Sequence, residues 1–255
     1  MDLRKLISGD LQMVSIEEVG LDPTLFIALI AEPALMVWFF VRIRPRISWL
    51  SMFIMGLISF LVIGTFPIVF EMFLTDFESF KNLMAVGFIE EGTKFITIIL
   101  GLKIFQSEAQ WLREKLGMAF FVGIVFGLME AWVYALNFDT HAIIVILAKM
   151  SHAIRAIVMF EGYLLMKNGN KFLGGSMFLA SPVLHGLWDF GVVNYENVIA
   201  LLPFVSELAL LSIFYLSTKK LLPLIRAEEE YRQKVMEKSR ISVEEHWLKR
   251  IGEET

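Results

Sequence analysis

The sequence predicts an all-α fold: a polytopic membrane helix bundle with about seven transmembrane helices. Three observations predict it. The residues A, V, I, L, M, F, W, Y and C make up 56% of 255 residues, and mean hydropathy is +0.64. Ordinary globular chains hold about 45–50% apolar residues. Seven apolar stretches approach the ~20 residues that cross a bilayer as a helix. Lys and Arg concentrate in every second break between them. Disorder is excluded, because a chain stays unfolded and solvated only when few of its residues are apolar. With no cysteine there are no disulfides, thiolate metal sites or Cys nucleophiles. The net charge of −4 and the lack of a basic face give no sign of a nucleic-acid partner.

Residues 1–23 carry Asp2, Arg4, Lys5, Asp10, Glu17, Glu18 and Asp22 without a continuous apolar core. They read as a short extracytoplasmic segment, not a secretory signal. The apolar segments follow at 24–41, 48–73, 80–103, 116–137, 143–166, 172–192 and 197–222. Polar runs separate them: RIRPR, TDFESFK, KIFQSEAQWLREK, NFDTH, KNGNK and NYEN. Arg42, Arg44 and Arg46 follow the first segment, Lys103, Arg113 and Lys115 the third, Lys167 and Lys171 the fifth, and Lys219, Lys220 and Arg226 the seventh. Cytoplasmic loops carry the excess of Lys and Arg. The N-terminus is therefore expected outside and the C-terminus in the cytoplasm. Residues 223–255 change to interspersed charge and read as a cytoplasmic helix at the membrane surface. Ser242 and Glu245 have capping-box spacing before Trp247. Trp111 and Trp247 read as interface anchors.

Ionisable side chains inside spans are costly and usually face a protein interior or a cavity. Here they recur on neighbouring segments: Glu90, Glu91 and Lys94 on the third, Glu130 on the fourth, His152 and Arg155 on the fifth, His185 and Asp189 on the sixth. At 1.5 Å per residue they share a depth from the midplane outward. Glu90 and Lys94 are i,i+4, while Glu91 is turned about 100° from Glu90. One carboxylate is expected at the reaction site and the other as a brace, both counted as catalytic candidates; Glu91 is the expected partner of Lys94, although Glu90 shares a face with Lys94 equally well. Glu32 reads as a structural partner of Arg155 or Lys149. Gly123 and Gly127 form a GxxxG step for close helix approach. Gly87 and Gly92 flank the paired glutamates, where they are expected to permit close backbone approach or to let a substrate in.

The order E-E-x-x-K (Glu90, Glu91, Lys94), F-x-x-x-E (Phe126, Glu130), an early helix His (His152) and H-x-x-x-D (His185, Asp189) resembles the PrsW intramembrane proteases. These belong to the type II CAAX prenyl endopeptidase and bacteriocin-processing superfamily. The resemblance covers roughly 85–192, the motif core of a bundle over 24–222. It implies hydrolysis of a peptide bond in a single-pass membrane protein, such as an anti-sigma factor, cut on its outer side. It also implies the cell membrane of a prokaryote. The CAAX branch has E-E-x-x-x-R, and His in place of Glu130, so the resemblance does not extend to prenyl-protein processing.

By that resemblance Glu90 is the general base, with Glu130 sharing the water. His185 and Asp189 position the water or stabilise the oxyanion, and His152 can do either. Lys94, Phe126 and Arg155 are supporting residues, Arg155 mainly structural. The preferred reading needs no cofactor. A zinc version would use Glu130, His152 and His185 with Glu90 or Asp189. Two other classes fit intramembrane carboxylates: a proton-linked transporter, which predicts internal repeats that this sequence does not display, and a non-catalytic scaffold that binds transmembrane segments.

Overall fold

The computed structural model describes residues 27–74, 79–137, 149–194, 199 and 201–253. The expected N-terminal segment, the NFDTH break after Asn137, the start of the fifth apolar segment and most of NYEN lie outside the described residues. Among the described residues there are seven α-helices, preceded by a π-helical turn at Ile27–Ala31, and no strand. The helices are α1 (Glu32–Ile43), α2 (Trp49–Glu71), α3 (Phe80–Ile104), α4 (Leu112–Asn137), α5 (Ser151–Lys167), α6 (Lys171–Val193) and α7 (Leu202–Glu253).

Local chemistry sets several boundaries. Pro33 stands in the first turn of α1, where its missing N–H costs nothing. Arg44 ends that helix in the left-handed region, at φ 42°. Ser48 caps α2 by accepting the Ser51 N–H at 3.1 Å. Glu108 accepts the Ser48 N–H at 2.9 Å, and this bond with the Ser51 hydroxyl holds its carboxyl below the usual range.

Among the described residues, four helices are long and apolar enough to cross a membrane: α2 over Trp49–Pro67, α4 over Leu112–Val133, α6 over Lys171–Val193 and α7 over Leu202–Ser239. Of the others, α1 has 12 residues, α5 has 17, and α3 carries Glu90, Glu91 and Lys94 in its middle. On α2, Trp49, Phe53, Leu57, Phe60 and Leu61 are each at least half exposed. They make an outward apolar face at helical spacing, which suits lipid and not water.

The basic breaks meet at one end of the bundle. Glu229 of α7 pairs with Arg46 at 3.0 Å and Arg113 at 3.1 Å. Glu228 accepts the Leu112 N–H at 2.8 Å. The tail corrects one expectation. Helix α7 runs unbroken for 52 residues, through Pro223 and Ser242. No helix starts at Ser242. A straight helix of that length spans about 78 Å, more than twice a ~30 Å hydrocarbon core. The charged arm therefore continues directly from an apolar span.

Helix α5 is the centre. Every residue from Ser151 to Gly162 is buried, against neighbours on α3, α4, α6 and α7. Glycine contacts seat it. A Cβ on Gly123 would lie 2.6 Å from the His152 carbonyl oxygen, and one on Gly127 would overlap the Lys149 carbonyl. The GxxxG step thus presses α4 onto the start of α5. A Cβ on Gly87 would lie 2.5 Å from the Pro182 oxygen and 2.7 Å from Gly186 N, which closes α3 onto α6. Gly92 makes no close backbone contact, having nothing within 4 Å of its Cβ position. Gly123→Ala should therefore destabilise the bundle by about 1–3 kcal/mol through overpacking. Gly92→Ala should be neutral or stabilising by up to ~1 kcal/mol from helix propensity. Thermal unfolding of both variants in detergent checks the contrast; equal midpoints would refute it.

Candidate active site

The two glycine contacts bring the polar segments of α3, α4, α5 and α6 together. Glu91 lies at the bottom, fully buried. One of its oxygens, Oε1, meets Lys94 Nζ at 2.5 Å and His185 Nδ1 at 2.9 Å. Its Oε2 accepts from the Ser181 hydroxyl at 3.2 Å. Lys94, also fully buried, reaches His152 Nδ1 at 2.8 Å and stands 4.0 Å above the Phe126 ring. Phe126 packs on the His152 imidazole, with ring centroids 4.8 Å apart. His152 Nε2 lies 2.5 Å from Glu130 Oε2, and Lys149 pairs with the other Glu130 oxygen.

These partners assign the tautomers. An ammonium only donates, so Lys94 leaves His152 Nδ1 as the acceptor and Nε2–H as the donor to Glu130. The Glu91 carboxylate accepts from His185 Nδ1–H, which leaves Nε2 as an acceptor. That Nε2 faces Glu90 Oε2 at 3.6 Å and Asp189 Oδ2 at 3.7 Å. Both separations are too long for direct hydrogen bonds. They place one Glu90 oxygen and one Asp189 oxygen beside the same imidazole nitrogen. The Glu90 and Asp189 side chains keep 13% and 18% exposure, while Glu91 has none. Glu90 is thus the reachable carboxylate of the pair and Glu91 the brace of Lys94.

Both glutamates touch the same imidazole, one on each nitrogen, although helix geometry separates them by about 100°. The imidazole ring spans the gap. Glu130 is held by Lys149 and His152. Lys149 pairs with Glu130. Arg155 lies outside the Glu90 cluster. Its guanidinium pairs with Glu207 and bonds Ser151 Oγ at 2.5 Å. Glu32 is hydrogen-bonded to Glu207 in the same buried group.

Glu207 and Glu161 are functional-looking groups that the sequence reading passes over. Each is fully or almost fully buried, Glu161 accepting from Ser217 and Thr218. The signal is present, since both are lone carboxylates in apolar segments. No protein-family model, curated protein or solved structure matches the chain. The chemistry of the site is accordingly argued from its own residues.

Glu90, His152 and His185 offer ligand atoms within 4.8 Å of one another. Two imidazoles and a carboxylate are a zinc-type donor set. The Glu91 bond to His185 Nδ1 is the outer-shell contact that orients such a ligand. His152 fits less directly, because both its nitrogens already have partners. It would have to release Glu130 to bind a metal. Of the residues expected to hold zinc, Glu90, His152 and His185 are the three that converge here.

Proposed function

We propose that this protein is an intramembrane endopeptidase. It hydrolyses a peptide bond in a single-pass membrane-anchored protein, by water activated at Glu90. The observation that supports this best is the convergence of Glu90, His152 and His185 ligand atoms within 4.8 Å of one another, with Asp189 beside His185 Nε2 and Glu91 locking the imidazole. In this reading the seven helices all span the bilayer, with the basic end in the cytoplasm. The site then belongs to the outer half: Glu130 lies seven residues from the far end of α4, His185 eight from that of α6, and His152 starts α5.

Glu90 takes a proton as the water oxygen attacks the scissile carbonyl carbon. His185 and Asp189 orient that water. Glu90 then returns the proton to the nitrogen as the C–N bond breaks. Glu130, His152, Lys149 and Lys94 form the polar wall that fixes this geometry. If zinc is bound, Glu90, His152 and His185 would hold it, and it would polarise the carbonyl and acidify water. The chain's own residues still orient the substrate and exclude bulk water.

Reconstitution with a pool of single-pass proteins bearing extracytoplasmic domains tests the proposal. Wild type, Glu90→Gln and wild type with a strong chelator run in parallel, and new termini are read by mass spectrometry. New termini in the wild type alone are expected, with the chelator lane unchanged if water is activated without metal. Loss in chelator with recovery on adding zinc selects the zinc version. Empty profiles in all lanes, with the substrates folded and accessible, would overturn the protease reading.

A further inference from the structure

The basic end of the bundle holds a cavity of about 1000 Å³ between α3, the start of α4, α5 and the arm of α7. Its rim carries Lys103, Lys115 and Lys167. None of the three pairs with a carboxylate among the described residues. The arginines of the same end behave differently: Arg46 and Arg113 pair with Glu229, and Arg232 pairs with Glu114. The one acid lining the cavity, Glu228, is occupied by the Leu112 N–H. Three lysines and one carboxylate therefore line one space, which leaves it net positive.

Below the rim the lining turns apolar, with Ile99, Phe160, Leu164 and Leu221. From Lys167 to Phe160 is two turns of α5, about 10 Å of wall. A soluble anion would satisfy the lysines and leave that depth without purpose. A molecule with a phosphate at one end and a hydrocarbon chain at the other matches both halves. Helices flanking this end, α4 and α7, are long and apolar enough for a membrane, so the rim sits where headgroups lie.

We propose that this cavity binds one anionic phospholipid. Its phosphate rests on Lys103, Lys115 and Lys167, and an acyl chain lies along Ile99, Phe160 and Leu164. The charged arm of α7 forms one wall through Glu228 and Tyr231, so the lipid stabilises the arm against the bundle. This inference does not depend on the protease reading.

The test uses delipidated full-length protein in neutral detergent, with retained lipid counted by native mass spectrometry. Phosphatidylglycerol, phosphatidylcholine with the same chains, and glycerol 3-phosphate are the probes. Wild type should retain one phosphatidylglycerol in preference to phosphatidylcholine. The triple variant Lys103→Gln, Lys115→Gln, Lys167→Gln should lose about tenfold or more, since each lysine at an anionic surface is worth about fivefold. The pair Lys219→Gln, Lys220→Gln, on the same end but outside the cavity, should stay within about twofold of wild type. Leu164→Trp, which fills the apolar half, should lower retention of the lipid. It also serves as the test should the triple variant not fold. Unchanged retention in the triple variant or in Leu164→Trp would overturn the proposal. So would an equal loss in the control pair, or protection by glycerol 3-phosphate equal to that of the lipid.

Discussion

Glu90→Gln is expected to lower peptide-bond cleavage by about 10²–10⁴-fold, the range that a positioned acid or base supplies. The same change should leave the unfolding midpoint close to wild type. Gln keeps the size of Glu90, and the position keeps solvent access that Glu91 lacks. Glu91→Gln should behave differently. It removes the charge that faces Lys94 and weakens the acceptor that fixes His185. Activity and stability should fall together. Rates for both variants on one cleaved substrate, beside their unfolding midpoints, separate the roles. A Glu90→Gln enzyme within twofold of wild type would remove Glu90 from the mechanism.

Lys94→Met is expected to cost about 3–5 kcal/mol of stability, the loss seen when a buried ion pair keeps only one member. Its ammonium is the cation that faces the fully buried Glu91 carboxylate, and it also donates to His152. Methionine preserves the length and leaves Glu91 charged without a partner. The double variant Lys94→Met, Glu91→Gln should recover part of the loss, because the uncompensated charge is gone. Denaturant or thermal unfolding of the two single variants and the double variant measures the coupling. A Lys94→Met loss below about 1 kcal/mol, with no recovery in the double variant, would show that this pair does not hold the core.

Much of this arrangement is legible in the sequence because membrane helices follow simple rules. Apolar runs of span length fix where α2, α4 and α6 lie, to within a few residues. The Arg and Lys breaks anticipate which ends meet, and the Arg46 and Arg113 pairs with Glu229 join such breaks. The GxxxG step on α4 is a close backbone contact. Charge in apolar segments marks Glu90, Glu91, Lys94, Glu130, His152, His185 and Asp189, all of which come together. The same rule applied evenly also marks Glu161 and Glu207. The end of the seventh segment is misleading in the sequence, because Pro223 and the change to charged residues look like a boundary. A helix tolerates both when its flanking turns are packed, as Glu228 and Glu229 are against α4.

By itself the sequence determined the solvent for which this chain is built, the helices it forms and the set of polar groups that cannot face lipid. Those follow from composition and spacing, which are local. Pairing was decided only by tertiary structure. Lys94 could have served Glu90 or Glu91, Lys149 could have served Glu32 or Glu130, and Arg155 found Glu207 on a helix about fifty residues away. A buried charge takes whichever partner helix rotation and close packing bring within hydrogen-bond reach. Here that rotation is fixed by glycines at the α3–α6 and α4–α5 crossings, contacts between segments that are far apart in the chain.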